Sequence, residues 1–362
     1  MPRPANAVDF WRGFALVTIF INHIPGIFYE RFTHKNLSFS DSAELFVFLA
    51  GWSLRHIVGR PEDPTPTHQL MFRLGGRAFT LYAAHMTIVM IAIALLAAAS
   101  RVFENPLLLE WNNAAAVFHE PVDTHIGLVL LSHQLGYFDI LPLYVVLMIF
   151  APLIALIHRQ APHLLVPVSL AIYFTALVFR ISVPTWPTEG QWFFNPLCWQ
   201  AVFVLGFAAS RERGPGGWVR ANIDKIRLYA IPIVIVFAIM VWFRIWPDPT
   251  RVPEPKLLFI ADKNYITPLR LFQFLALVAA FSALYPYIAK AVPKVVDFLS
   301  MLGRNSLQVF CAGSVLSLAG QIARFYFSGG FIADTVLVIV GVALMGVIGW
   351  LAEWRDRVEK RA

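Results

Sequence analysis

The first apolar segment of the chain carries two residues that a membrane helix rarely tolerates. In Arg12-Gly13-Phe14-Ala15-Leu16-Val17-Thr18-Ile19-Phe20-Ile21-Asn22-His23, a guanidinium and an imidazole stand eleven positions apart. Eleven steps of roughly 100° make about three helical turns, so the two side chains share one face, about 16 Å apart along the axis. Ionisable groups inside a span are costly and usually functional. A histidine with an ordinary pKa of about 6.5 exchanges protons at physiological pH, as a general base must. Each residue alone has a plainer reading, His23 as a packing group bonded to a neighbouring helix and Arg12 as an anchor at the membrane edge. The pair on one face favours chemistry. Metal chemistry is not expected: His119, His125 and His133 are scattered, with no tight ligand spacing such as His-Glu-x-x-His. Cys198 and Cys311 both fall in apolar stretches, which suits small core residues better than a disulfide or a zinc site.

The elements that must position this pair follow from composition. Of 362 residues, 58% are hydrophobic and 14% charged, and mean hydropathy is +0.64. A soluble domain would carry roughly a quarter charged residues. With about 20 apolar residues per crossing, spans are expected near 11–30, 43–59, 77–100, 138–158, 163–183, 195–211, 228–246, 267–289, 304–327 and 332–353. The expected fold is therefore all-α, a polytopic membrane helix bundle of about ten transmembrane helices, forming a single domain over 1–362. A shorter apolar piece, Ile126 to Leu131, suits a re-entrant or interfacial segment. Met1-Pro2-Arg3-Pro4 leads into a run broken by Asn22, His23 and Pro25 with no small-residue cleavage site after it, so the first segment is expected to remain as a helix.

The net charge of +7 does not mark a nucleic-acid binder, because the basic residues gather at segment ends. With both termini cytoplasmic, most of the 29 Lys and Arg fall on that side, among them Arg3, Arg60, Lys360 and Arg361. The opposite loops are prolyl and aromatic, as in Pro184-Thr185-Trp186-Pro187 and Trp246-Pro247-Asp248-Pro249. Such rings anchor at the interface, and they equally suit stacking on sugars.

Arginine, ten residues and histidine in a first span resembles the signature of the membrane-bound acyltransferase-3 superfamily. Ala43-Glu44-Leu45-Phe46-Val47-Phe48-Leu49-Ala50-Gly51 and Arg77-Ala78-Phe79-Thr80-Leu81-Tyr82 are similar to two further stretches of it, with Thr80 where the superfamily has proline. More specifically the chain resembles the OpgC family of glucan succinyltransferases. The resemblance lies in Phe39-Ser40-Asp41-Ser42-Ala43-Glu44, in the stretch from His133-Gln134-Leu135-Gly136-Tyr137-Phe138-Asp139 to Tyr144, in Asn195-Pro196-Leu197-Cys198-Trp199-Gln200, and in Leu302-Gly303-Arg304-Asn305-Ser306-Leu307. It runs from about residue 8 to 350.

That resemblance implies an O-succinyltransferase of the cell inner membrane, moving a succinyl group from cytoplasmic succinyl-CoA to hydroxyls of a periplasmic glucan. It implies catalytic roles for His23, Glu44 and Arg12, with His23 as base; Glu44 would orient the imidazole as the acid of a hydrolytic triad does, bind an acceptor hydroxyl, or pair with an arginine. Arg12, Arg73, Arg77 and Tyr82 would bind acyl-CoA, guanidinium groups being suited to phosphate and carboxylate. His133, Gln134, Tyr137, Asp139, Asn195, Trp199 and Gln200 would bind glucan, whose hydroxyls need donors and acceptors. No permanently bound cofactor is expected; the partners are succinyl-CoA, glucan and the lipid bilayer, with a homo-oligomer left open. Rival expectations are an acetyltransferase of the same fold acting on another polysaccharide or lipid, and a proton-coupled transporter or flippase of a glycan.

Overall fold

A computed structural model describes residues 4–59 and 65–359. Arg3, Arg60, Lys360 and Arg361, counted above among the cytoplasmic basic residues, lie outside the described residues. The helices α1 (Ala7–Asn22), α2 (Ser42–Val58) and α3 (Thr67–Val102) come first. Short helices α4 (Ala115–His119) and α5 (Pro121–Val129) precede α6 (Ile140–Gln160), α7 (Leu165–Val178) and α8 (Pro196–Ser210). Then α9 (Pro215–Ala221) leads into α10 (Ile223–Trp242). The chain closes with α11 (Pro268–Phe281), α12 (Leu284–Ala291), α13 (Pro293–Arg304), α14 (Ser306–Tyr326) and α15 (Phe331–Glu359). No strand occurs among the described residues, and the fold is all-α.

A helix stands at each of the ten expected segments, but their lengths differ. By length and apolarity five can cross a bilayer, α3, α6, α10, α14 and α15, and a sixth if α11 and α12, bent by 52° at their break, count as one span. The other four are shorter than the about 20 residues of a full crossing: α1 has 16 residues, α2 17, α7 14 and α8 15.

Local chemistry explains the ends. The first helix stops at Asn22, well before residue 30, because Pro25 lacks an N–H and restrains the residue before it, and Gly26 then turns at φ +74°. His23 is thus the residue that ends α1, its N–H donating to the Ile19 carbonyl at 2.9 Å. Asn6 opens the same helix by accepting from the Asp9 N–H. Helix α2 begins with a capping box: Asp41 accepts from the Ala43 N–H at 2.8 Å and Glu44 from the Asp41 N–H at 3.0 Å. Helix α3 starts at Thr67, ten residues before the expected 77, which places Arg73 and Arg77 inside it. Ile126 to Leu131 fall at the end of α5 and the turn after it, with Ile126, Val129 and Leu130 exposed.

Two close crossings frame the centre. Between α1 and α13, a Cβ at Gly13 would collide with the Leu299 carbonyl and one at Gly303 with that of Asp9. Between α2 and α8, Gly51 meets Phe203 and Gly206 meets Phe48 in the same reciprocal way. Small residues that let helix backbones touch are the usual device for helix association in lipid. Gly206→Leu is therefore expected to cost at least the ~1–3 kcal/mol of an overpacked core, read as loss of monodisperse protein after extraction; a yield and thermal midpoint equal to the native chain's would contradict this packing. At the periphery, only 11% of the most apolar window of α10 is buried, against 61% for α6. The inner side of α10 meets Phe39, whose ring lies 5.4 Å from that of Phe237 and 4.9 Å from Trp246 in the following loop.

Candidate active site

Among the described residues, two of the cavities take Arg12 and His23 into their walls. One, of about 560 Å³, is lined by His23, Asn22 and Ile19 of α1 together with Asp41, Tyr137, Asp139, Lys263 and Arg270. The other, of about 270 Å³, is lined by Arg12 of the same helix with Ser53, Arg77, Tyr144 and Ser306. The two ends of the α1 face thus open into different chambers.

In the larger cavity the His23 ring sits 4.8 Å from that of Tyr137, centroid to centroid, at 48°. Tyr137 is held there by a left-handed backbone, φ +68°, uncommon for a residue with a side chain. The His23 carbonyl accepts from Gln321 Nε2 at 2.5 Å, which fixes the end of α1. The imidazole Nδ1 is buried and meets no hydrogen-bond partner among the described residues.

Across the cavity lies an ion network. Asp41 Oδ2 accepts from Lys263 Nζ at 2.5 Å and lies 3.5 Å from Arg270 Nη2. Burial would raise the Asp41 carboxyl, but the Lys263 ammonium and the Arg270 guanidinium beside it, with the Ala43 N–H, hold it far below the ordinary carboxylate range. Lys263 also lies 5.5 Å over the rings of Phe193 and of Phe194. Behind the wall, fully buried Glu44 accepts from Arg270 Nε at 2.5 Å.

Glu44 therefore does not meet the imidazole as expected. One carboxylate oxygen takes Arg270 and the other the Asp41 N–H, so it positions Arg270 instead. Asp41, Lys263 and Arg270 line the His23 cavity although sequence reasoning gave them no role in the site. The Asp41-x-x-Glu44 box was a readable signal for one of them; nothing local marks the other two.

In the smaller cavity, Arg12 donates from Nη2 to the Leu49 carbonyl at 3.0 Å and to Ser53 Oγ at 2.5 Å, tying α1 to α2. Arg77 comes to the same chamber from α3. The Tyr144 hydroxyl there is buried without a hydrogen-bond partner among the described residues. Arg73 is exposed, and Tyr82 donates to the Val129 carbonyl at 2.9 Å, so neither lines this chamber.

Of the expected glucan-binding set, the structure brings Tyr137 and Asp139 to the His23 cavity and leaves the rest elsewhere. His133 is buried, with Nε2 3.0 Å from the Asn113 carbonyl and Nδ1 3.2 Å from Thr188 Oγ1. Gln134 donates to the Leu131 carbonyl. Asn195 caps α8 by accepting from the Leu197 N–H. Gln200 exchanges hydrogen bonds with Ser169. Trp199 is fully buried and donates from Nε1 to the Lys263 and Asn264 carbonyls at 3.1 and 3.2 Å. Its contribution is to hold the loop that presents Lys263. Among the described residues no group of three or more His, Cys, Asp or Glu is placed to hold a metal ion.

Apolar helices long enough to cross a bilayer, an imidazole in one chamber and guanidinium groups in another define a helical membrane protein with an interior polar site. The chain belongs to the OpgC family: the model described as OpgC protein matches residues 5–357, nearly its whole length. Membership points to a glucan-modifying membrane transferase. No curated protein matches the chain.

Proposed function

We propose that this protein is a transmembrane O-acyltransferase that moves a succinyl group from cytoplasmic succinyl-CoA to hydroxyls of a periplasmic glucan, with His23 as general base. The observation that carries the reading is the His23 imidazole lining a chamber of about 560 Å³, at the end of the helix whose Arg12 lines the other chamber. The donor enters at the Arg12 chamber. Arg12 and Arg77 meet its phosphates or its terminal carboxylate, and Arg73, exposed one turn before Arg77 on α3, adds positive charge outside the chamber. The acceptor enters at the His23 chamber, where Tyr137 offers a ring face and Asp139 an acceptor for sugar hydroxyls.

In the reaction the glucan oxygen attacks the thioester carbonyl carbon as His23 takes its proton. A carbon–oxygen bond forms, the carbon–sulfur bond breaks, and the electron pair leaves on the CoA sulfur. His23 then returns the proton to the departing thiolate or to water. Membership of the OpgC family supports this reading, as does the basic character of the Arg12 side, which fits a cytoplasmic face in the inner membrane.

The test is direct. Purified protein mixed with succinyl-CoA and an oligoglucan should release CoA and add succinyl mass increments to the glucan. Glucan uptake into vesicles with no mass change would sink the proposal in favour of a transporter. Within it, Arg77→Ala should raise KM for succinyl-CoA about 10–150-fold with little change in kcat, the loss expected for a charge-assisted contact of about 1.5–3 kcal/mol. An unchanged KM would remove Arg77 from the donor site.

A further inference from the structure

The two chambers are stacked along the bundle, and the same four helices wall both. On α1, Arg12 faces one and His23 the other; on α2, Ile57 and Ala43 do so; on α6, Tyr144 and Ile140. The order along each helix is consistent with a single axis: α1 runs from the Arg12 chamber to the His23 chamber, while α2 and α6 run back. On α14 the division narrows to a single side chain. Phe310 lines both chambers, while Ser306 and Leu307, one turn earlier, line the Arg12 chamber alone.

Phe310 is 2% exposed, and its ring stacks on that of Phe46 with centroids 6.0 Å apart and planes 22° apart. Phe46 in turn lies 5.5 Å from Tyr144. Phe46 and Tyr144 belong to the Arg12 chamber, so they back the Phe310 ring from that side. Phe310 is the residue common to both linings among the described residues, an apolar ring backed by Phe46 and Tyr144.

We infer that Phe310 is the gate between the donor and acceptor chambers, and that its size sets which acyl groups reach His23. The inference rests on the acyl-transfer reading for its substrate but not for its geometry. A short, flexible acyl chain passes when the ring swings off Phe46. A bulky or branched one is refused by the ring itself, since a packed pocket discriminates a methylene or more by about 10–200-fold.

The experiment uses the full chain in proteoliposomes with succinyl-CoA and benzoyl-CoA as alternative donors and an oligoglucan as acceptor. Phe310→Ala should shift the ratio of kcat/KM for benzoyl over succinyl transfer upward by about tenfold or more. Phe310→Trp should lower kcat for succinyl by about tenfold or more while KM for succinyl-CoA stays within about twofold, because Arg12 and Arg77 are unchanged. Phe310→Leu should fall between native and alanine and controls for folding. A second readout needs no reaction: in a chain with Cys198 and Cys311 replaced by alanine, Ala43→Cys places a thiol in the His23 chamber. A membrane-impermeant methanethiosulfonate added on the Arg12 side should label it slowly with Phe310 present and rapidly with Phe310→Ala. Equal labelling in both, or native donor preference in the alanine variant, overturns the gate. If the native chain transfers no acyl group at all, the acyl-transfer reading fails, and labelling alone then decides whether Phe310 closes the passage.

Discussion

Replacing His23 with alanine should abolish most succinyl transfer, lowering kcat by about 10²–10⁴-fold, the usual contribution of a positioned general base. The fold should survive. The imidazole Nδ1 makes no hydrogen bond among the described residues, and the bond that fixes the end of α1 is donated by Gln321 to the His23 backbone carbonyl, which alanine retains. The lost side-chain contact is the one with the Tyr137 ring. Mass spectrometry of the glucan over time measures the rate, and the elution profile of the extracted protein measures the fold. Transfer at the native rate by His23→Ala would end the assignment of His23 as base while leaving the architecture untouched.

Glu44→Ala should unfold the protein more readily than any other single change at the site, by about 3–5 kcal/mol, the cost of breaking a buried ion pair from one side. Glu44 is 0% exposed and Arg270 8%, and the bond from Arg270 Nε to Glu44 Oε1 joins α11 to the start of α2 across 226 positions. Without the carboxylate, Arg270 keeps only the more distant Asp41, which already binds Lys263. Glu44→Met combined with Arg270→Met should recover much of the loss, because an apolar pair strands no charge. Thermal midpoints in one detergent compare the three variants. A Glu44→Ala protein as stable as the native chain yet inactive would make Glu44 a participant in the chemistry rather than the strut of Arg270.

The sequence carried the all-helical fold and the places of ten helices, because apolar runs and caps are local properties of the chain. It carried less about length: the first helix was expected to reach residue 30, and Pro25 with Gly26 stops it at Asn22. Periodicity predicted Arg12 and His23 on one face of the first helix; in the structure Arg12 lies within α1 and His23 caps its end. It could not reveal that the face opens into two chambers, since the side chain between them, Phe310, comes from a helix nearly three hundred positions away. Likewise Glu44 was recognisable as a special carboxylate, but its partner is Arg270 rather than the nearby imidazole. Asn195 and Gln200 show a different limit. Polar residues at helix starts suit caps and sugar contacts equally, and here α8 uses Asn195 as its cap while Gln200 binds Ser169.

The outward-facing apolar surface of α10 bears on how this molecule must be handled. Most of its apolar surface faces outward, yet its inner side supports Phe39, a wall of the His23 chamber, through Phe237. A helix that turns most of its apolar surface to the acyl chains and packs mainly on one neighbour, α11, is exposed to loosening when micelles replace them. Solubilisation alone would then deform the acceptor chamber, and turnover measured in nanodiscs should exceed that in harsh detergent even where secondary structure is identical.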